Sequence, residues 1–312
     1  ISSYVISTLS YNIVLVSSIT VLLLLLNLAQ PTSSFSLPNG LQSTNANIQQ
    51  QYNRNQRGSN RLFLDTAIES EWSSLMPLGI FHGITTNPTL LERAGHQCTI
   101  QSVQSLATRA LSLSDVDAGS KRQQHYYCKE FMCQSWGSTS EEMYKNGMAL
   151  SEVDREKVVI KVPVTAEGTV AASKLINDGV RVCLTACYAS DQALIASAVG
   201  AEYIAPYLGR MEEQRFVDGV EECLRMQQIV RGMNSNSNSG NDNSKTTRVL
   251  VASIRNVKSM TDLVARGSMD TFTFSPDIAR KLFVEQLTID AAADFEAAAQ
   301  RCGAGSGANA SA

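Results

Sequence analysis

The run Val158-Val159-Ile160-Lys161-Val162-Pro163-Val164 decides how the rest of the chain is read. Valine and isoleucine stand on successive positions rather than alternate ones. A strand patterned this way is covered on both faces, as strands are in a parallel sheet flanked by helices. Val249-Leu250-Val251 repeats the pattern further along. Lys161 interrupts the first run. Its ammonium would lose hydration inside such a strand, so burial is expected to lower its pKa. A neutral amine can attack a carbonyl. The bland alternatives are a structural pairing with Asp65, or a stem that snorkels to solvent.

Outward from that run, β-rich segments alternate with helical patterns. Strands are expected at 61–66, 79–85, 131–135, 158–164, 180–186, 203–207, 248–253 and 270–274. Helices are expected at 167–178, 190–199, 216–231 and 257–266. Eight strands with helical crossovers predict an α/β fold, a single-domain (β/α)8 barrel of the TIM type. The approach to the third strand, Gly95 to Glu130, reads as long and irregular. The polar run from Asn234 to Ser244 has no periodicity and reads as a solvated low-complexity insertion at 234–245. The barrel is therefore expected over 61–302, followed by a Gly/Ala/Ser tail at 303–312.

The first sixty residues are a different material. No charged residue occurs before Arg54, and Ile13 to Leu26 is almost wholly aliphatic. Fourteen helical residues cover about 21 Å, short of the roughly 30 Å hydrocarbon core. That length suits a signal-peptide core, although no basic segment precedes it. A tilted anchor including Tyr4 to Tyr11 is the alternative. From Gln30 to Asn60 the chain is rich in Ser, Asn and Gln and has no acid, as transit peptides do. The pair resembles the two-part presequences of algae with complex plastids, where Phe35 would follow the first cleavage site. The expectation is a presequence over 1–60 directing the chain to a plastid or the secretory pathway, with a cytoplasmic location otherwise. No stable membrane insertion is expected once the leader is removed.

Composition narrows the chemistry. The chain has 312 residues, is 44% hydrophobic and 18% charged, and has a net charge of −3. These values belong to a globular protein without the basic footprint that nucleic acid requires. Seven cysteines are an odd number without zinc-pair spacing, and only three histidines are present, which argues against metal chemistry.

In such a barrel, function sits at the C-terminal ends of the strands. Polar residues recur there: Asp65, Thr85-Thr86-Asn87, Gln134, Lys161, Thr185, Tyr207 with Arg210, and Ser253 with Arg255. Five segments carry a resemblance. Leu64-Asp65-Thr66, Gly83-Ile84-Thr85-Thr86-Asn87-Pro88, Lys161-Val162-Pro163-Val164-Thr165, Ala205-Pro206-Tyr207-Leu208-Gly209-Arg210 and Ala252-Ser253-Ile254-Arg255 resemble, in order, the transaldolase family. The similarity is closest to its short branch, which includes fructose-6-phosphate aldolases, and it spans about Arg61 to Ala299.

The resemblance implies a cofactor-free and metal-free enzyme acting on sugar phosphates. Lys161 would form a Schiff base with the ketose C2 carbonyl, and Asp65 would move protons during C3–C4 cleavage. Asn87 and Thr86 would hold substrate hydroxyls, an Asn-Pro turn being the alternative for Asn87. Thr185 would place a water, with plain strand packing as its alternative. Arg210, Ser253 and Arg255 would bind phosphate, with surface salt bridging as the alternative; two guanidiniums and a hydroxyl suit that anion. Gln134 stands where typical transaldolases carry Glu, and Tyr207 where many carry Phe. An amide cannot move protons, whereas a phenol can. That combination resembles the aldolase branch and favours fructose-6-phosphate aldolase over transaldolase proper. A non-catalytic sugar-phosphate-binding barrel is the alternative of another class. Met211-Glu212-Glu213 follows Arg210 where relatives often carry Asp. The resemblance also implies a homo-oligomer, with Asp290 to Arg301 as a contact.

Overall fold

The computed structural model describes residues 60–114, 128–237 and 246–304. Eight strands form one parallel sheet: β1 (Arg61–Asp65), β2 (Gly83–Thr85), β3 (Glu130–Gln134), β4 (Val158–Pro163), β5 (Val182–Cys187), β6 (Tyr203–Pro206), β7 (Arg248–Val249) and β8 (Thr271–Phe274). Each pairs with its sequence neighbour, and β1 also pairs with β8. Val251 completes the circle: its N–H donates to Thr271 O and its carbonyl accepts from Thr273 N. The result is a (β/α)8 barrel, as the continuous apolar runs predict. The seventh strand is shorter than expected as a ladder. Its backbone still bonds both neighbours, Leu250 N and Ala252 N donating to Ile204 O and Pro206 O of β6, and Val251 N to Thr271 O of β8.

The helices are α1 (Glu69–Leu75), α2 (Pro88–Arg93), α3 (Ile100–Leu111), α4 (Ser140–Ser151), α5 (Ala166–Asn177), α6 (Gln192–Val199), α7 (Leu208–Arg215), α8 (Gly219–Ser237), α9 (Val257–Gly267), α10 (Pro276–Lys281) and α11 (Gln286–Arg301). Several open directly off a strand end. The side-chain oxygens of Asn87, Thr165, Asn256 and Ser275 accept the third-residue N–H of α2, α5, α9 and α10. Such caps satisfy amides that the first helical turn leaves orphaned.

Three expectations need correction. The approach to β3 is not irregular throughout, because α3 occupies Ile100–Leu111. Its Val103, Leu106, Ala107 and Ala110 are buried at helical spacing, a stripe diluted by Ser, Thr and Gln. Helix 216–231 begins later, because Phe216 adopts a left-handed backbone that ends α7 and separates it from α8. Residues 234–237 of the low-complexity run are helical; the Asn234 amide donates to Thr247 O and its oxygen accepts from Thr247 N. Those bonds give a polar side chain a fixed place that composition alone does not reveal. Residues 238–245 of that run, residues 1–59 of the expected presequence and 305–312 of the tail lie outside the described residues.

The two-residue strand period divides the barrel interior into layers. The middle layer is apolar: Phe63, Met132, Val159, Cys183, Ala205 and Leu250 are buried there with Tyr203. Two residues earlier stand Arg61, Glu130 and Arg181, which join Glu202 and the Tyr203 hydroxyl in an ionic network. Two residues later stand Asp65, Gln134, Lys161, Thr185 and Tyr207. The strand period thus puts these polar residues together at the opposite, C-terminal mouth.

Candidate active site

That mouth holds a cavity of about 370 Å³. Its walls include Asp65, Asn87, Gln134, Lys161, Tyr207, Arg210, Ser253 and Arg255. Eight of the ten residues singled out in the sequence therefore line one space. Thr86 and Thr185 stand behind its wall, fully buried.

Lys161 is 3% exposed and its Nζ donates to the Thr86 carbonyl at 3.3 Å. Gln134 is its registered neighbour on β3. The expected fall in its pKa is overturned. Burial does push Lys161 down, but Tyr207 and Asp65, with Cys183 and Cys133 behind them, favour its charged form and raise it above the ordinary value. Desolvation alone was the wrong guide, because it ignored the partners that other strands bring. The direction favours the ammonium, and Asp65 faces the same cavity; attack on a carbonyl requires that the amine first lose this proton.

Asp65 is fixed from the side. The Thr85 hydroxyl donates to Asp65 Oδ1 at 2.7 Å, and its oxygen lies 2.5 Å from that of Thr273. Thr85 has a single proton and gives it to Asp65, so Thr273 is the donor in the second bond. Across the barrel, Thr185 Oγ1 and Tyr207 Oη share a hydrogen bond at 3.1 Å. Arg210 lies over the Tyr207 ring at 5.2 Å, and the Tyr188 and Tyr207 ring centroids stand 5.6 Å apart in an edge-to-face pair. The phenol is thus oriented by a hydrogen bond at its oxygen, a guanidinium over its face and a second aromatic ring.

Asn87 serves two readings at once. Its Oδ1 caps α2 by accepting from Leu90 N at 3.1 Å. Its amide nitrogen is the group left to donate into the cavity. Ser253 lies on the β6–β7 side with φ 58°, and its Oγ is buried without a hydrogen-bond partner. Ala186, on the same cavity, has φ 59°. Left-handed backbone at non-glycine residues clusters at functional sites. Thr86 Oγ1 is likewise buried and unpartnered. Arg255 is exposed and forms a bidentate ion pair with Glu213 at 2.7 and 3.1 Å, so the salt-bridge alternative is realised for one of its edges.

The sequence reading missed Tyr188, Arg93, Thr273 and Ser275, which also line the cavity. Tyr188 and Ser275 stand just past strand ends, a signal that was open to use. Arg93 carries no local signal, because it reaches the cavity from the last turn of α2.

The profile of the family described as Transaldolase/Fructose-6-phosphate aldolase matches residues 62–310. A protein named "Probable transaldolase" from Leptospira biflexa is 29% identical over 75% of this chain and 95% of its own length. Another of that name from Hyphomonas neptunium is 28% identical over 78% of this chain and 98% of its own. A third, from Rhodospirillum centenum, is 28% identical over 78% and 92%. The match spans the barrel and the mouth where Lys161 sits, and the chain is accordingly an enzyme belonging to the transaldolase/fructose-6-phosphate aldolase family.

Proposed function

We propose that the chain cleaves a ketose phosphate such as fructose 6-phosphate between C3 and C4, through a Schiff base on Lys161. The observation that carries this reading is Lys161 itself, buried at the wall of a cavity that Asp65 also lines. The amine, once deprotonated, adds to the C2 carbonyl, and loss of water leaves an iminium. Asp65 takes the C4 hydroxyl proton as the C3–C4 bond breaks. The bond's electron pair moves into the enamine, and the aldose phosphate leaves. The dihydroxyacetone fragment then gains a proton at C3 and is released by water, or it adds to a new aldose phosphate. Arg210, Ser253 and Arg255 would hold the phosphate, and Asn87 a substrate hydroxyl, with Thr86 behind the wall supporting that corner through its carbonyl's bond from Lys161.

Release by water, the fructose-6-phosphate aldolase outcome, is favoured by Gln134 and by the Thr185–Tyr207 hydrogen bond. A phenol can exchange protons with the enamine, whereas an amide cannot. The second reading, transaldolase proper, is favoured by the names of the relatives. A product assay with fructose 6-phosphate, with and without erythrose 4-phosphate, separates the two. Borohydride with a ketose should reduce an adduct onto Lys161, and Lys161→Arg should keep the fold but abolish turnover. Substantial activity in that variant, or labelling at another lysine, overturns the mechanism.

The same reading includes a homo-oligomer. Helix α11 has no buried residue, and Leu287 and Phe295 on it are 77% and 73% exposed. A second copy covering this helix would remove that apolar surface from water. The proposal also keeps residues 1–60 as a leader bound for a plastid or the secretory pathway.

A further inference from the structure

Glu213 lies outside the set of residues to which the chemistry above gives a role. It sits on α7, four residues after Gly209 and therefore on the same helix face. Arg255 lies along that face. A Cβ on Gly209 would stand 2.6 Å from Arg255 Cγ, 2.9 Å from its Nε and 2.5 Å from the Ser253 carbonyl. The stem of Arg255 is thus seated on bare backbone, at the only kind of residue that leaves room for it. Its guanidinium then meets Glu213, with Nε donating to Oε1 at 2.7 Å and Nη2 to Oε2 at 3.1 Å.

Those two bonds use one edge of the guanidinium. The other edge, formed by Nη1 and the second hydrogen of Nη2, has no partner among the described residues, and Arg255 lines the cavity. A guanidinium has five donors in a rigid plane, so fixing one edge fixes the direction of the other. The unpartnered Ser253 Oγ and Arg210 line the same cavity. Glu213 is held below the usual carboxylate range, first by its hydrogen bond from Arg255, and then by the charges of Arg255 and Arg210. It therefore stays ionised through the neutral range.

We propose that Glu213 is a positioning residue for the anion subsite: it grips the Nε edge of Arg255 so that the opposite edge faces a phosphate in the cavity. The proposal rests on the sugar-phosphate reading above and adds the residue that sets its phosphate affinity. Without Glu213 the long side chain regains its rotamers, and binding must order it again. A carboxylate this near a phosphate also repels it. The inference is that orientation outweighs repulsion, and that makes the sign of the effect the test.

The experiment compares Glu213→Ala, Glu213→Gln and Arg255→Ala, with fructose 6-phosphate, free dihydroxyacetone and inorganic phosphate as probes. Glu213→Ala should raise KM for fructose 6-phosphate and weaken inhibition by inorganic phosphate by about 3- to 10-fold, the cost of ordering one side chain. kcat should fall less than KM rises, and KM for dihydroxyacetone should hardly move. Glu213→Gln, which keeps an oxygen acceptor for Nε, should restore most of the loss. If Glu213→Ala binds phosphate equally well or more tightly, Glu213 is a competitor or a surface pair and the proposal falls. If Glu213→Gln behaves as Glu213→Ala does, orientation is not the cause and the proposal falls as well. Arg255→Ala tests the underlying reading separately. Equal effects on phosphorylated and free substrates in that variant would show that Arg255 does not read phosphate at all.

Discussion

Tyr207 shows what a single residue's surroundings can settle. Its hydroxyl is tied to Thr185, its ring face to Arg210, and its ring packs edge-to-face with Tyr188. Replacing it by Phe keeps the ring in place and removes the hydroxyl, with its proton and its hydrogen bond to Thr185. Tyr207→Phe should therefore fold normally and lose about 10²-fold in aldolase turnover, the low end for losing a general acid–base group. Steady-state assays with fructose 6-phosphate check this, with thermal melting as the control for folding. If the variant keeps full aldolase turnover, the proton is carried elsewhere and the aldolase branch loses its main support. Gln134→Glu in the same assay should shift products toward transfer.

At the scale of elements, the strand-to-helix corners do two jobs with the same side chains. Asn87 ends the β2 corner, caps α2 through Oδ1 and presents its amide to the cavity. The two jobs separate by substitution. Asn87→Asp keeps the cap acceptor and loses the amide donor, so its melting temperature should match the parent while KM for the ketose rises. Asn87→Ala loses both and should also lose about 1 kcal/mol of stability. Equal stability of the two variants would mean that the cap contributes nothing here. The corner after β6 follows the same logic: Gly209 and Glu213 on α7 together seat Arg255.

The whole molecule is held at its other mouth by charge. Glu130 accepts from Arg181 at 2.9 Å, from Arg61 at 3.3 Å and from the Tyr203 hydroxyl at 2.8 Å, and His82 Nε2 lies 3.1 Å away. Burial pushes the Glu130 carboxyl up, but His82 and Arg181 pull it down to about 2 from an ordinary value of 4.5. Between those values the unfolded chain binds the proton and the folded chain does not. Stability from this group is therefore complete above about pH 4.5 and is lost as the pH falls toward 2. The shift corresponds to something on the order of 3 kcal/mol. Thermal melts from pH 2.5 to 7 should show this acid limb, and Glu130→Gln should flatten it while lowering stability at neutral pH. A limb of equal slope in Glu130→Gln would assign the acid sensitivity to other carboxylates. At the same scale, a chain starting at Asn60 should fold and turn over as the full chain does, because 30–60 has no core-forming pattern. Aggregation of that truncation would place part of the segment in the barrel.

The barrel was legible because its strands are covered on both faces. Continuous runs such as Val158-Val159-Ile160 mark such strands locally, and all eight lie where the pattern puts them. The site was legible for a related reason: the two-residue period carries Asp65, Gln134, Lys161, Thr185 and Tyr207 to one end of one interior. Helix α3 carries a readable stripe of Val103, Leu106, Ala107 and Ala110 but lies within a stretch read as irregular, and α7 ends where Phe216 breaks the chain with no glycine or proline to announce it. What the sequence could not decide is the direction in which its surroundings push Lys161, or the pairing of Arg255 with Glu213. Burial is a property of a strand and can be read from its own residues. The balance between burial and neighbouring charge depends on groups that arrive from different strands and corners, and only the closed barrel brings them within reach of one another.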